Sequence, residues 1–313
     1  MGKIAFVFPG QGAQAVGMGK DALSIPAVKA LYEAADEAVG YALSGIVFDG
    51  PEEALKSTAN TQPALLTTSL AYLEAFRAAG GDKLTPDYVA GHSLGEWTAL
   101  AAAGALAPAE AARLVHLRGR YMEEAVPGGQ GAMAAVLGAE RGALQALCDA
   151  VSGEAGRVEL ANVNCPGQIV VSGSKEGVEA VAQRGKEAGA KRVIPLEVSG
   201  PFHSSLMASA ADRLEALLGE VALAAPAVPL VANVTADVVS DPEDIRKLLV
   251  RQVCAPVLWE DSVQRLVALG VDTFVEFGPG SVLSGLIKKI NKDVRIVTVN
   301  SAEAAAAAVP ALL

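Results

Sequence analysis

The stretch Gly91-His92-Ser93-Leu94-Gly95-Glu96-Trp97 decides the reading of this chain. It follows a short apolar run, Tyr88-Val89-Ala90, and opens an alanine-rich helical pattern that continues to about Leu106. Strand, sharp turn and helix is the context in which G-x-S-x-G presents a serine hydroxyl at the top of a sheet. Gly91 and Gly95 flank a turn too tight for side chains. The backbone N–H of Leu94 falls at a helix N-terminus, where unpaired donors and the positive dipole end favour a developing oxyanion. A plain serine N-cap is the competing reading of the same residues.

Working outward, Ile4-Ala5-Phe6-Val7-Phe8 is a continuous apolar run, as expected of a buried parallel strand. Pro9-Gly10-Gln11-Gly12-Ala13-Gln14 ends it abruptly, and its glycines and amides suggest a loop whose backbone approaches a ligand. It is not a phosphate loop, since no G-K-[ST] follows. Helical patterns run from Asp21 to Val39 and Pro51 to Ser57. Asn60-Thr61-Gln62-Pro63 then precedes a helix from Ala64 to Ala79, and Gln62 reads better as part of that helix-start turn than as a pocket amide. The helix beginning near Pro108 carries Arg113, Arg118 and Arg120. Only Arg118 shares the apolar stripe of Leu114, Val115 and Tyr121. An arginine there requires an anionic partner, either an internal carboxylate or a carboxylate on a ligand.

After the joint Pro127-Gly128-Gly129-Gln130-Gly131, strands at Ala132 to Val136, Val158 to Val163, Gln168 to Ser172 and Arg192 to Leu196 alternate with helices at Gly142 to Val151 and Lys175 to Ala188. The order βαββαβ is ferredoxin-like, and about seventy residues can form a small subdomain. An insertion, residues 128-197, into a larger unit of residues 1-127 and 198-313 is expected; one continuous sheet is the alternative. The chain then returns through a loop holding His203 to a helix from Ser205 to Leu218 and a strand from Pro229 to Asn233. Helices follow at Ile245 to Gln252 and Trp259 to Leu269. Next come a strand from Thr273 to Phe277, a helix from Ser281 to Ile290, a strand from Val294 to Val299 and a closing alanine-rich helix.

A serine hydroxyl needs a base, and the chain has three histidines. His92 is joined to Ser93 and diverges from it across the turn; His116 lies on a different helix face from Arg118. His203 is left as the base. No aspartate stands near an obvious strand end to orient it, so a backbone carbonyl or an amide is expected to do so. Such a base suits a thioester, whose thiolate leaves readily.

Composition narrows the classes further. The 313 residues are 51% hydrophobic and 19% charged, with a net charge of −10. A sizeable core is possible, and a general nucleic-acid binder is disfavoured for want of basic surface. Cys148, Cys165 and Cys254 show no metal or redox spacing, which suggests reduced thiols in the cytoplasm. No signal or membrane-spanning segment is evident.

Several stretches together resemble the malonyl-CoA:acyl-carrier-protein transacylase family. They are Phe8-Pro9-Gly10-Gln11-Gly12, Gly91-His92-Ser93-Leu94-Gly95-Glu96, Leu117-Arg118-Gly119-Arg120, Asn164-Cys165-Pro166-Gly167-Gln168, Phe202-His203 and Val275-Glu276-Phe277-Gly278-Pro279-Gly280. They stand in the family's order and cover nearly the whole chain. The resemblance implies an α/β fold, an α/β-hydrolase-like large subdomain with a mostly parallel sheet plus a ferredoxin-like insert. It implies malonyl transfer from malonyl-CoA to the phosphopantetheine thiol of acyl carrier protein in fatty acid synthesis, with no metal and no cofactor beyond those substrates. Carried onto this chain, Ser93 is the acylated nucleophile and His203 its base. The backbone N–H groups of Gln11 and Leu94 form the oxyanion hole. Arg118 grips the malonyl carboxylate, and the carbonyl of Gln252 orients His203. Phe202 matches a variant associated with malonyl selection. A polyketide-type transferase, a serine thioesterase or esterase, and a non-catalytic carrier-protein scaffold are the rivals. The expected partner, acyl carrier protein, is acidic, so a local basic region is needed. Arg184, Lys186, Lys191 and Arg192 offer one, and Lys288 and Lys289 another. A monomer without nucleic-acid or membrane partners is expected.

Overall fold

The strand Ile4 to Phe8 lies at the heart of the molecule, and its alternation explains why. In a computed structural model describing residues 2–313, β1 (Lys3–Phe8) turns Phe6 and Phe8 to one face of a sheet and Ala5 and Val7 to the other. Both faces are covered, so the strand carries no polar side. Phe6 packs edge-on against Phe277 at 4.8 Å and Phe76 at 6.3 Å. Each buried phenylalanine contributes about 1.5–3 kcal/mol relative to exposure.

Among the described residues ten strands form two sheets. Beside β1 lie β2 (Tyr88–Gly91) and, beyond the ferredoxin-like segment, β7 (Leu230–Val231), β8 (Val238–Val239), β9 (Val271–Phe277) and β10 (Arg295–Val299), in the order β10-β9-β1-β2-β7-β8. All pairings are parallel except β7 with β8. The second sheet holds β3 (Gly131–Leu137), β4 (Val158–Cys165), β5 (Gln168–Ser174) and β6 (Arg192–Pro195), antiparallel in the order β4-β5-β3-β6. One face of it packs on the helices Arg141–Glu154 and Lys175–Arg184 in a core of its own; from the other face Met133 and Val170 join the main core. The chain therefore has two sheets instead of one continuous sheet. An isolated β-bridge, Asn162 with Val257, pairs β4 with the larger part.

Several elements differ from the sequence reading. The first long helix starts at Pro26, not Asp21, because the residue before a proline is held extended; Ile25 has φ −86° and ψ 117°. A helix at Leu43–Asp49 was not expected. Gly45 breaks its pattern, yet Leu43 and Val47, four apart, are both buried. The largest difference is the helix Thr58–Ala78, which begins six residues before Ala64 and takes in Pro63. Proline inside a helix frees the carbonyl four residues back. Here that is Ala59, and His116 Nδ1 lies 2.9 Å from its oxygen. The strand expected from Pro229 to Asn233 is two residues long and returns through β8.

Candidate active site

Parallel strands release their C-terminal ends together, and three such ends build the site: the loop after β1, the turn after β2 and Asn233 after β7. Ser93 sits between β2 and the helix Leu94–Ala102 with φ 51° and ψ −107°, a sparsely populated backbone for a residue with a side chain. The strain is enforced by close packing of main chain. A Cβ on Gly91 would stand 2.0 Å from the Gly95 carbonyl, and one on Gly95 would stand 2.0 Å from the Phe8 oxygen. Asn233 pins the turn from the side: its Oδ1 accepts from Ser93 N–H at 2.7 Å, and its Nδ2 donates to the Gly91 carbonyl at 2.7 Å. Gln11 and Leu94 line the cavity beside the Ser93 hydroxyl, and neither backbone N–H has a turn, loop or cap partner among the described residues. One unpaired donor at the strained turn, from Leu94, and one in the loop after β1, from Gln11, are of the kind an oxyanion needs.

His203 comes from a loop between the two sheets and is itself held at φ 58°. Its Nε2 lies 2.8 Å from Ser93 Oγ, and its Nδ1 lies 2.8 Å from the Gln252 carbonyl. A carbonyl only accepts, so Nδ1 carries the proton and Nε2 faces the hydroxyl as acceptor. No acid takes part. Burial, and secondarily the Arg118 charge, lower the imidazole to about 3, so it stands neutral in the resting site. The other two histidines are occupied elsewhere. His92 Nε2 contacts Asn164 Oδ1 at 2.8 Å, which ties the turn to β4.

Arg118, on the helix Pro108–Glu124, is 1% exposed. No internal carboxylate touches it among the described residues. Nη1 donates to Gln62 Oε1 at 2.7 Å, Nη2 donates to Gln252 Oε1 at 3.0 Å and to Ser93 Oγ at 3.2 Å, and Nε has no partner among the described residues. Burial lowers the guanidinium from 12.5 to about 10, with Glu96 opposing the shift. Arg113 and Arg120 instead pair with Glu110 and Glu124 near the surface.

Gln62 is a pocket amide, contrary to the reading as a helix-start turn. The helix starts earlier than Pro63 suggests, and this carries Gln62 inward to Arg118. Two residues were not singled out from sequence, Glu96 and Asn233. Glu96 is buried; its Oε2 accepts from Gln252 Nε2 at 2.8 Å and from Asn233 N–H at 3.0 Å. Its place one turn into the helix after Ser93 was the available signal. A cavity of about 120 Å³ opens over these groups, roofed by Met133, Asn162 and Leu196 from the small sheet and by Phe202.

Of the basic clusters, Arg184 is already paired with Glu154 at 2.8 Å and Glu187 at 3.0 Å. Lys186, Lys191, Arg192, Lys288 and Lys289 are exposed and form no ion pair among the described residues.

An imidazole-paired serine at a strand-to-helix turn, with a carboxylate-seeking cation at its side, defines a class: serine-dependent handling of acyl groups. Comparison with known proteins makes the class particular. The acyl transferase domain family matches residues 5–310. A malonyl CoA-acyl carrier protein transacylase of Bacillus subtilis is 51% identical over 304 residues, covering 97% of this chain and 95% of that one. The crystal structure of an acyl-carrier-protein S-malonyltransferase from Burkholderia pseudomallei superposes with a TM-score of 0.95 at 44% identity, covering 98% of this chain and 99% of that one. A malonyl-transacylase solved in complex with its type II polyketide acyl-carrier protein matches with a TM-score of 0.94 at 41% identity, each chain covered to 99%. The chain belongs to the acyl transferase domain family, within its malonyl CoA-acyl carrier protein transacylase branch.

Proposed function

We propose that this chain moves a malonyl group from malonyl-CoA to the phosphopantetheine thiol of acyl carrier protein, through an ester on Ser93, and so feeds fatty acid synthesis. The observation that carries this reading is a buried guanidinium without a carboxylate partner, 3.2 Å from a serine hydroxyl that also bonds an imidazole. A simple esterase has no use for that cation; a malonyl thioester brings the missing carboxylate.

The steps follow from the parts. Ser93 Oγ attacks the thioester carbonyl while its proton passes to His203 Nε2. The oxyanion meets the N–H groups of Gln11 and Leu94. The carbon–sulfur bond breaks, and the departing CoA sulfur takes the proton from the imidazolium. In the second half the carrier-protein thiol gives its proton to His203, its sulfur attacks the ester, and Ser93 Oγ leaves with that proton. The Gln252 carbonyl keeps the imidazole in one tautomer throughout. Arg118 holds the malonyl carboxylate and Phe202 walls the acyl pocket. All chemistry is supplied by side chains and backbone, with no metal or cofactor.

The same reading places residues 1-127 and 198-313 as the catalytic unit and residues 128-197 as its roof. It has the chain acting as a cytoplasmic monomer without nucleic-acid or membrane partners. The absence of any helix long and apolar enough to cross a membrane, among the described residues, is compatible with it. Intact-mass measurement after malonyl-CoA treatment tests the reading: one malonyl adduct on the unaltered protein, none on Ser93→Ala, and loss of the adduct when carrier protein is added. An adduct that persists in Ser93→Ala, or water acting as well as carrier protein, would overturn it.

A further inference from the structure

The buried charges are few. Among the described residues the buried acidic and basic side chains are Arg118, Glu96, Glu276 and His203. Glu276 is committed to the start of the helix Val282–Ile290, accepting from Leu283 N–H and Ser284 N–H at 3.0 and 2.7 Å. Glu96 caps no helix and accepts one backbone N–H, that of Asn233. It lies behind Arg118, separated from it by one amide: Gln252 donates to Glu96 with Nε2 at 2.8 Å and accepts from Arg118 with Oε1 at 3.0 Å. The orientation of that amide is fixed. Its Nε2 faces acceptors only, Glu96 Oε2, the Ser93 carbonyl at 3.0 Å and Asn233 Oδ1 at 3.2 Å, and its Oε1 faces a cation.

Resting on the function just proposed, we infer that Glu96 is the resident counter-charge of Arg118, and that a malonyl carboxylate entering the cavity is bound together with one proton taken up by Glu96. With the site empty, one buried cation faces one buried anion through Gln252. A second carboxylate at the guanidinium leaves two anions against one cation, and an uncompensated buried charge is costly. Protonating Glu96 from solvent restores the balance. Its Oε1 accepts no hydrogen bond among the described residues and can carry the proton. Burial already raises this carboxyl to about 7, with bonds from Asn233 and Gln252 and the Arg118 charge opposing. The other titratable groups around it are two imidazoles, His92 at the turn and His203 across Gln252, both held neutral by burial. Glu96 touches no substrate; it is a positioning residue acting through Gln252. An acetyl group brings no carboxylate and exchanges no proton. Preference for malonyl over acetyl should therefore grow as pH falls through the Glu96 range.

The test is calorimetry on the Ser93→Ala protein, which binds without reacting. Malonyl-CoA and acetyl-CoA are titrated near pH 7 in two buffers of different ionisation enthalpy. Malonyl-CoA should bind with net proton uptake and acetyl-CoA without. The malonyl-CoA dissociation constant should rise by up to about tenfold per pH unit above the Glu96 range, the limit for one linked proton. Adding Glu96→Gln, which keeps the acceptor and removes the charge, should abolish the uptake and flatten the dependence. Equal proton counts for the two esters overturn the inference, as does unchanged uptake in the double variant. Malonyl-CoA that does not bind at all sinks the proposed function as well, whereas binding without proton uptake sinks this inference alone.

Discussion

Replacing Arg118 by methionine should separate malonyl from acetyl transfer, and the size of the separation can be worked from the contacts. Methionine keeps an unbranched side chain in a site 1% exposed, so packing changes little. It removes every donor. For malonyl-CoA the carboxylate is left buried without its cation, a loss of about 3–5 kcal/mol when one partner of a buried pair is deleted. At about 1.4 kcal/mol per decade this is roughly 100- to several-thousand-fold in kcat/KM. For acetyl-CoA the only loss is the hydrogen bond that Nη2 gives Ser93 Oγ at 3.2 Å, about 1 kcal/mol and less than tenfold. Stability should fall by no more than about 3 kcal/mol. Gln62 and Gln252 each lose a donor, at about 1–3 kcal/mol apiece. The drop of the guanidinium from 12.5 to about 10 marks a burial cost of about 3 kcal/mol that the variant no longer bears. The assay is release of CoA from both esters at matched concentrations, alongside thermal unfolding. Equal falls for malonyl and acetyl would refute the carboxylate role of Arg118.

Three further outcomes are expected. The imidazole of His203 is lowered from 6.5 to about 3. The folded protein thus binds fewer protons than the unfolded chain between those values; the stability this confers is complete above 6.5 and is lost as pH falls toward 3. Ester formation at saturating malonyl-CoA should accordingly hold from pH 7 to about 5, and an acid limb centred near 6.5 in stopped-time mass measurements would contradict this. Gly95→Ala drives a Cβ to 2.0 Å from the Phe8 carbonyl oxygen, a backbone atom that cannot step aside. It should cost about 3 kcal/mol or more in urea unfolding, and a near-neutral result would show that the turn is not held by this approach. Reversing Lys191 and Arg192 to glutamate should raise the Michaelis constant for carrier protein several-fold at low salt while leaving ester formation from malonyl-CoA in place. Unchanged kinetics would move the docking surface elsewhere.

Ser93 and Arg118 are legible in sequence because each is fixed by its immediate neighbours, whereas His203, 110 positions from Ser93, follows only by elimination among three histidines. Ser93 follows from two glycines and a strand–helix junction, and Arg118 from its register on one helix stripe. The βαββαβ order follows from local hydrophobic periods. What escaped was set by distance along the chain. Glu96 meets Gln252 across 156 positions and Arg118 meets Gln252 across 134, and no spacing rule connects them. Gln62 escaped for a different reason. Proline normally marks a helix start, but Pro63 is tolerated inside the helix because His116, arriving from another helix, takes up the carbonyl it frees. A tertiary contact overrode a local signal.

The same buried charges bear on how so weak a base can serve. A thioester needs less help than an amide, since the thiolate that leaves has an ordinary pKa of about 8.5. The imidazole must still become a cation in the transition state, and after burial the Arg118 charge is the largest force against that. A malonyl carboxylate seated on the guanidinium cancels that force just when the proton has to move. An acetyl group leaves it in place. On this view the acyl group strengthens the base that attacks on its behalf, so selection for malonyl is exercised in the chemical step as well as in binding. It also explains why the orienting group behind His203 is a carbonyl. An aspartate there would bring a permanent anion into the same pocket, hold the imidazolium whatever the acyl group, and repel the carboxylate that Arg118 is placed to receive.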